Sequence, residues 1–132
     1  MNKCSDFHFT PKEIVQTLMK DIEFKSDDNT LEPCKGAGAF YDEIPYKKDW
    51  GEIDEGRDIF TYKYDTLFSK IITNPPYKSN DDDKDKRVNI AMPFIFRCAD
   101  MLTNDGEMWL LLNHSMFNSL TPIRLGKFKK MN

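Results

Sequence analysis

Apolar residues recur along this chain at two different spacings. Ile14, Val15, Leu18, Met19 and Ile22 fall on one face at helical spacing. Thr10-Pro11 ahead of them reads as a helix opening, with Thr10 as N-cap, Pro11 at the first helical position and Glu13 completing a capping box. The polar run from Lys25 to Asn29 ends that helix. Thr30-Leu31-Glu32-Pro33 then predicts a short strand, closed by Pro33 and by a turn containing Gly36 and Gly38, after which Phe40 and Tyr41 begin a short helix.

The spacing shortens again further on. Trp50 to Ile53 predicts a second short strand, and Ile59-Phe60 follows the Gly56 turn too closely for much helix to intervene, giving a third candidate strand. Leu67 to Thr73 is apolar and β-branched toward its end, as a buried parallel strand is, and stops at Asn74-Pro75-Pro76-Tyr77, where prolines forbid further ladder pairing. Ser79 to Lys86 is dense in charge without apolar anchors and reads as a mobile loop. Helical spacing returns in Ile90, Phe94, Ile95, Cys98 and Leu102, within a helix expected over Val88 to Leu102. Pro93 predicts a kink or a late start, and Asn104-Asp105-Gly106 a stop. Met108 to Leu112 is another buried strand, and Met116 to Lys130 a broken helix. Strands alternating with helices predict an α/β class with a mostly parallel sheet, in which ligands bind outside the carboxyl ends of the strands.

Length and composition narrow this picture. At 132 residues and 39% hydrophobic content the chain forms one domain, expected to span 1–132, with a modest core. Asp and Glu (22) outnumber Lys and Arg (19), so the net charge of -3 offers no global attraction to a polyanion, and any nucleic-acid contact has to come from local patches. Arg124, Lys127, Lys129 and Lys130 form the clearest patch, which also reads as a solvated basic tail. Cys4, Cys34 and Cys98 are widely spaced and lack the close pairs of a zinc site, which predicts a reduced, cytoplasmic setting inside a bacterial or virus-infected cell. No apolar run approaches a membrane span.

The unusual residues gather at the expected strand ends. Gly36 and Gly38 allow a tight turn and close approach of backbone to a ligand; a strand-to-helix turn uses glycine for purely structural reasons as well. The third glycine of a dinucleotide fingerprint and the Gly-Lys-Ser/Thr of a phosphate loop are missing, which argues against a ligand held by its phosphates. Glu52 has the chemistry to accept two hydrogen bonds from a ribose diol, and Asp58 to accept from an adenine amino group while Ile59 and Phe60 cover the ring; taken singly they equally resemble a surface carboxylate and a turn aspartate. Asn74-Pro75-Pro76-Tyr77 is more specific. A planar amino group is a poor nucleophile because its lone pair is delocalised, and two acceptors that draw its hydrogens out favour a pyramidal, reactive nitrogen. The Asn74 side-chain oxygen and the Pro75 carbonyl supply two such acceptors at a separation set by the prolines, and Tyr77 offers a face on which an extruded base stacks, worth ~1–3 kcal/mol.

With these residues the chain resembles the adenine-specific, amino-methylating DNA methyltransferases. Leu31 to Phe40, with Glu32, Pro33, Gly36, Gly38 and Phe40, looks like their first cofactor motif, and Asn74, Pro75, Pro76 and Tyr77 match their catalytic motif without substitution. Phe9-Thr10-Pro11 resembles the segment that helps close over the methionine end of the cofactor. The resemblance implies a Rossmann-like methyltransferase sheet with flanking helices, S-adenosylmethionine as cofactor, and adenine in DNA as methyl acceptor. It further implies Glu52 for the ribose hydroxyls, and Asp58 with Ile59 and Phe60 for the cofactor adenine. No metal is implied.

The chain departs from the family pattern in two places. Relatives usually continue with further strands and a target-recognition region, so this chain is expected to lack the final strands and a recognition domain; either the sheet keeps an exposed edge, or a second copy or a partner chain completes it, or the chain is a fragment. Lys35 stands where many relatives carry a small or neutral residue. Two other functions are compatible with the same residues. One is amino methylation of a protein glutamine or an RNA base; the other is a truncated, inactive cofactor-binding or partner module.

Overall fold

A computed structural model of the chain describes residues 10–76 and 90–112. The expectations for Phe9, Tyr77, Cys4, the charged loop from Ser79 to Lys86, the segment from Met116 to Lys130 and its basic patch lie outside the described residues.

Helix α1 (Lys12–Lys20) begins one residue later than expected. Pro11 is its N-cap, with no side-chain bond, and its carbonyl accepts from the Ile14 and Val15 N–H groups. Thr10 is therefore not the cap, and its hydroxyl is used elsewhere. Val15 and Ile22 are buried, whereas Ile14 is exposed, because the buried stripe is narrower than the apolar one.

Strand β1 (Asn29–Glu32) is followed by a 3-10 turn (Tyr41–Glu43) and strand β2 (Lys47–Trp50), three residues earlier than its pattern suggested. Residues 53–55 form a second 3-10 turn, and Ile59-Phe60 lies in a turn rather than a strand, so the described residues hold four strands and not five. Strand β3 (Phe68–Thr73) is almost wholly buried. Helix α2 (Ala91–Asp100) starts late, which places Pro93 in its first turn, where a missing N–H costs nothing.

Strand β4 (Leu102–Leu110) absorbs Asn104-Asp105-Gly106, expected only to stop the helix. Phe68 pairs with Leu102 and Lys70 with Glu107, so those residues bulge out of the ladder. The sheet is parallel throughout, in the order β2-β1-β3-β4. The chain leaves β1 on one side to make β2, then crosses to the other side for β3. A topological switch point thus lies between β1 and β3, where α/β sheets bind ligands.

Alternation along β3 divides the core between the two faces. Ile71 packs with Leu31, Phe94 and Cys98, covered by α2; Ile72 packs with Val15, Ile22 and Phe40, covered by α1. Lys70 is buried and pairs with Asp28 at 2.8 Å, with Glu107 at 3.4 Å. Burial alone would raise the Asp28 carboxyl, but bonds from the Lys25 N–H and Lys70 outweigh it and hold it below its ordinary value. Cys98 is free and buried. Among the described residues no helix is long and apolar enough to cross a membrane, and no side-chain cluster has metal-ligating composition.

Candidate active site

The β1–β2 ladder runs on past the strands into the glycine turn. The Gly51 N–H donates to the Glu32 carbonyl at 2.9 Å, and the Lys35 N–H to the Gly51 carbonyl at 2.8 Å. Gly36 (φ 56°) and Gly38 (φ 94°) both take the left-handed region that side chains disfavour. Two carboxylates secure this turn from beneath. Glu32, only 1% exposed, accepts from the Cys34 N–H at 2.8 Å. Glu52, 2% exposed, accepts from the Gly36 N–H at 2.9 Å with one oxygen and from the Asp54 N–H at 3.1 Å with the other. Glu52 is thus no surface carboxylate.

Burial pushes the Glu32 carboxyl well above the ordinary carboxylate range, and the neighbouring Glu52 charge adds to that. The Cys34 N–H offsets only part of it. The Thr73 hydroxyl lies close enough to help but makes no well-formed hydrogen bond. Burial therefore favours the neutral acid at Glu32, which keeps its acceptor oxygen on the turn.

Gly51 was not singled out from sequence. A Cβ there would sit 2.7 Å from the Pro33 carbonyl oxygen and 2.9 Å from the Tyr64 hydroxyl, so the approach of the two strand ends depends on its missing side chain. A glycine directly before the candidate ribose-binding acid was the available signal. Beside it, the Tyr64 hydroxyl donates to the Trp50 carbonyl at 2.7 Å, and Arg57 lies over the Trp50 ring while pairing with Asp49. Lys35 also lies over Trp50 and pairs with Glu55 at 3.0 Å, so its charge is occupied away from the glycines.

Pro33 from the end of β1, Asp58, Ile59 and Phe60 from the turn, Pro76 from the end of β3 and Phe94 from α2 line one cleft. Its free volume is about 20 Å³, room for roughly one water. Asp58 accepts from the Phe60 N–H at 3.0 Å, which sets the turn; Phe60 is 39% exposed and meets Phe94 edge-on.

At the end of β3, Pro75 and Pro76 are buried and Asn74 is half-buried. The Asn74 amide donates through Nδ2 to the Thr10 hydroxyl at 3.2 Å. No described residue donates to Asn74 Oδ1 or to the Pro75 carbonyl. The expected residues therefore divide. Glu32, Pro33, Gly36, Gly38 and Glu52 lie around the turn that follows β1, and Asp58 and Ile59 share the cleft with Pro33 and Pro76. Thr10 and Asn74 touch, whereas Pro11 is exposed at the helix start and Phe40 is buried in the core beneath α1.

The family model described as methyltransferase small domain matches residues 52–128, more than half of the chain. No individual curated protein matches it.

Proposed function

The chain belongs to the methyltransferase small domain family, with the Rossmann-like parallel sheet of such enzymes, and from that premise we propose that it methylates the exocyclic amino group of adenine in DNA, with S-adenosylmethionine as donor. One observation carries this reading. Asn74 Oδ1 and the Pro75 carbonyl accept nothing from the described residues, and they stand at the end of β3, beside the wall formed by Pro76.

The residues around the switch point fit the cofactor. Two glycines at positive φ on either side of Ala37 leave a turn with little side-chain bulk, Glu52 retains a lone pair on each oxygen for a ribose diol, and Asp58 with Ile59 offers an acceptor beside an apolar surface. Phe60, on the exposed side of the narrow cleft, has to turn outward to admit a ring. When bound, the cofactor supplies a methyl group on a sulfonium, an electrophile that needs no activation by the protein.

What the chain supplies is the other half of the reaction. Asn74 Oδ1 and the Pro75 carbonyl accept the two N–H bonds of the target amine and free its lone pair. Held by the Gly36–Gly38 turn, Glu52 and Asp58, the cofactor would supply its methyl group to that nitrogen as the carbon–sulfur bond breaks, and the surplus proton on nitrogen would leave to water. We assign Tyr77 to stacking on the flipped base.

Labelled cofactor offered with adenine-containing DNA, RNA and a glutamine peptide tests the substrate. Label entering DNA adenine is expected. Transfer to the peptide or RNA alone would replace this substrate, and absence of cofactor binding at millimolar concentration would favour the inactive module.

A further inference from the structure

An asparagine amide has two ends of nearly equal size, one an acceptor and one a donor pair. Only one orientation helps a target amine: with Oδ1 forward it accepts the amine's N–H, and with Nδ2 forward it sets donor against donor. Something has to hold the amide, because rotation by half a turn about its last torsion exchanges the two ends with little change in shape. Prolines fix the backbone of this corner but not that torsion.

The Thr10 hydroxyl is placed to hold it. It accepts from Asn74 Nδ2 at 3.2 Å, bridging 64 residues of sequence, and Thr10 itself is only 7% exposed. The residue is anchored immediately before Pro11, whose carbonyl accepts the first two N–H groups of α1, so the hydroxyl is held by a helix start packed on the core through Val15. Its use there also explains why Thr10 does not cap the helix.

We propose that Thr10 is a positioning residue: by accepting from Asn74 Nδ2 it keeps Oδ1 turned toward the methyl acceptor. This rests on the reading of Asn74 as an acceptor for the target amine. Thr10 need not touch either substrate for this purpose, which separates the role from closure over the cofactor.

The test compares Thr10→Val, which keeps the branched shape and loses the hydroxyl, with Thr10→Ser, which keeps the hydroxyl. Turnover on adenine-containing DNA is expected to fall about tenfold in Thr10→Val, the effect of roughly one hydrogen bond, with cofactor affinity by calorimetry unchanged and turnover recovered in Thr10→Ser. Unchanged turnover in Thr10→Val overturns the proposal, as does a loss confined to cofactor affinity. Thr10→Ala serves as a second variant should the valine chain fail to fold. The side-chain amide signal of Asn74 in an NMR spectrum, assigned by its disappearance in Asn74→Ala, gives a readout independent of activity. A shift and faster exchange of that signal in Thr10→Val, but not in Thr10→Ser, is expected; an unmoved signal overturns the proposal even if the wild-type chain methylates nothing. Wild-type inactivity on every acceptor, with the signal moving as expected, would sink the methylation reading alone.

Discussion

Glu52 accepts the Gly36 N–H at 2.9 Å, so the glycine turn that ends β1 is held by a carboxylate sixteen residues further along the chain. The same side chain accepts from Asp54, and the turn, the end of β2 and the candidate ribose site therefore share one anchor. Glu52→Gln keeps one acceptor oxygen and turns an NH2 against the other N–H. A stability loss of about 1–3 kcal/mol is expected from that unsatisfied donor, with weaker cofactor binding. Thermal unfolding and calorimetry with S-adenosylhomocysteine measure both, and an unshifted melting curve would contradict the anchoring role.

On the proposed function, Asn74→Ala removes an acceptor for the target nitrogen. Turnover is expected to drop on the order of a hundredfold, as for other single groups that stabilise developing charge, while cofactor affinity holds. An equal fall in cofactor affinity, measured by titration, would show that Asn74 serves the donor rather than the acceptor.

Gly51→Ala brings a methyl group within 2.7 Å of the Pro33 carbonyl oxygen, a backbone atom that has little freedom to retreat. Overpacking of this kind costs about 1–3 kcal/mol. Gly56 is the control: its positive φ of 82° strains an alanine, but a Cβ there meets nothing within 4 Å, so about 1 kcal/mol is expected. Denaturant unfolding of the two variants should rank Gly51→Ala as the more damaged.

Glu32 makes stability depend on pH. Its folded value lies well above the ordinary 4.5, so the neutral acid is preferred in the folded chain. The contribution is full below 4.5 and is lost as pH rises from there toward the folded value, by up to about 1.4 kcal/mol per pH unit. Glu32→Gln retains an acceptor for the Cys34 N–H without an ionisable proton. Its melting temperature should exceed that of the wild type near neutrality and lack the decline above pH 4.5; a parallel decline in both proteins would remove Glu32 as its source.

The elements that could be read directly were those with dense local signals. Strand β3 runs from Phe68 to Thr73, one residue short of its expected start, because an apolar, β-branched segment ending in two prolines has few alternatives. Strand β2 was misplaced for the opposite reason: Lys47 to Trp50 is mostly polar at the sheet edge, where burial does not impose an apolar pattern. Ile59 and Phe60 looked like a strand but serve a turn, since Ile59 is buried with Leu31, Ile71 and Phe94 on the face covered by α2 while Phe60 lies over the cleft. Thr10 had the composition of a cap and became a partner for Asn74 instead.

Where the chain turns sharply, and which groups are available there, is written locally: glycines that admit positive φ at 36 and 38, and prolines at 75 and 76 that follow β3 and present an amide and a carbonyl. These follow from restrictions that act within a few bonds. Folding in three dimensions is what makes Glu52 close the Gly36 turn, Gly51 let two strand ends meet, and Thr10 face Asn74. Each of those is a hydrogen bond or a close approach between residues brought together by the order and register of a parallel sheet, and no local preference specifies which distant partner a donor will meet.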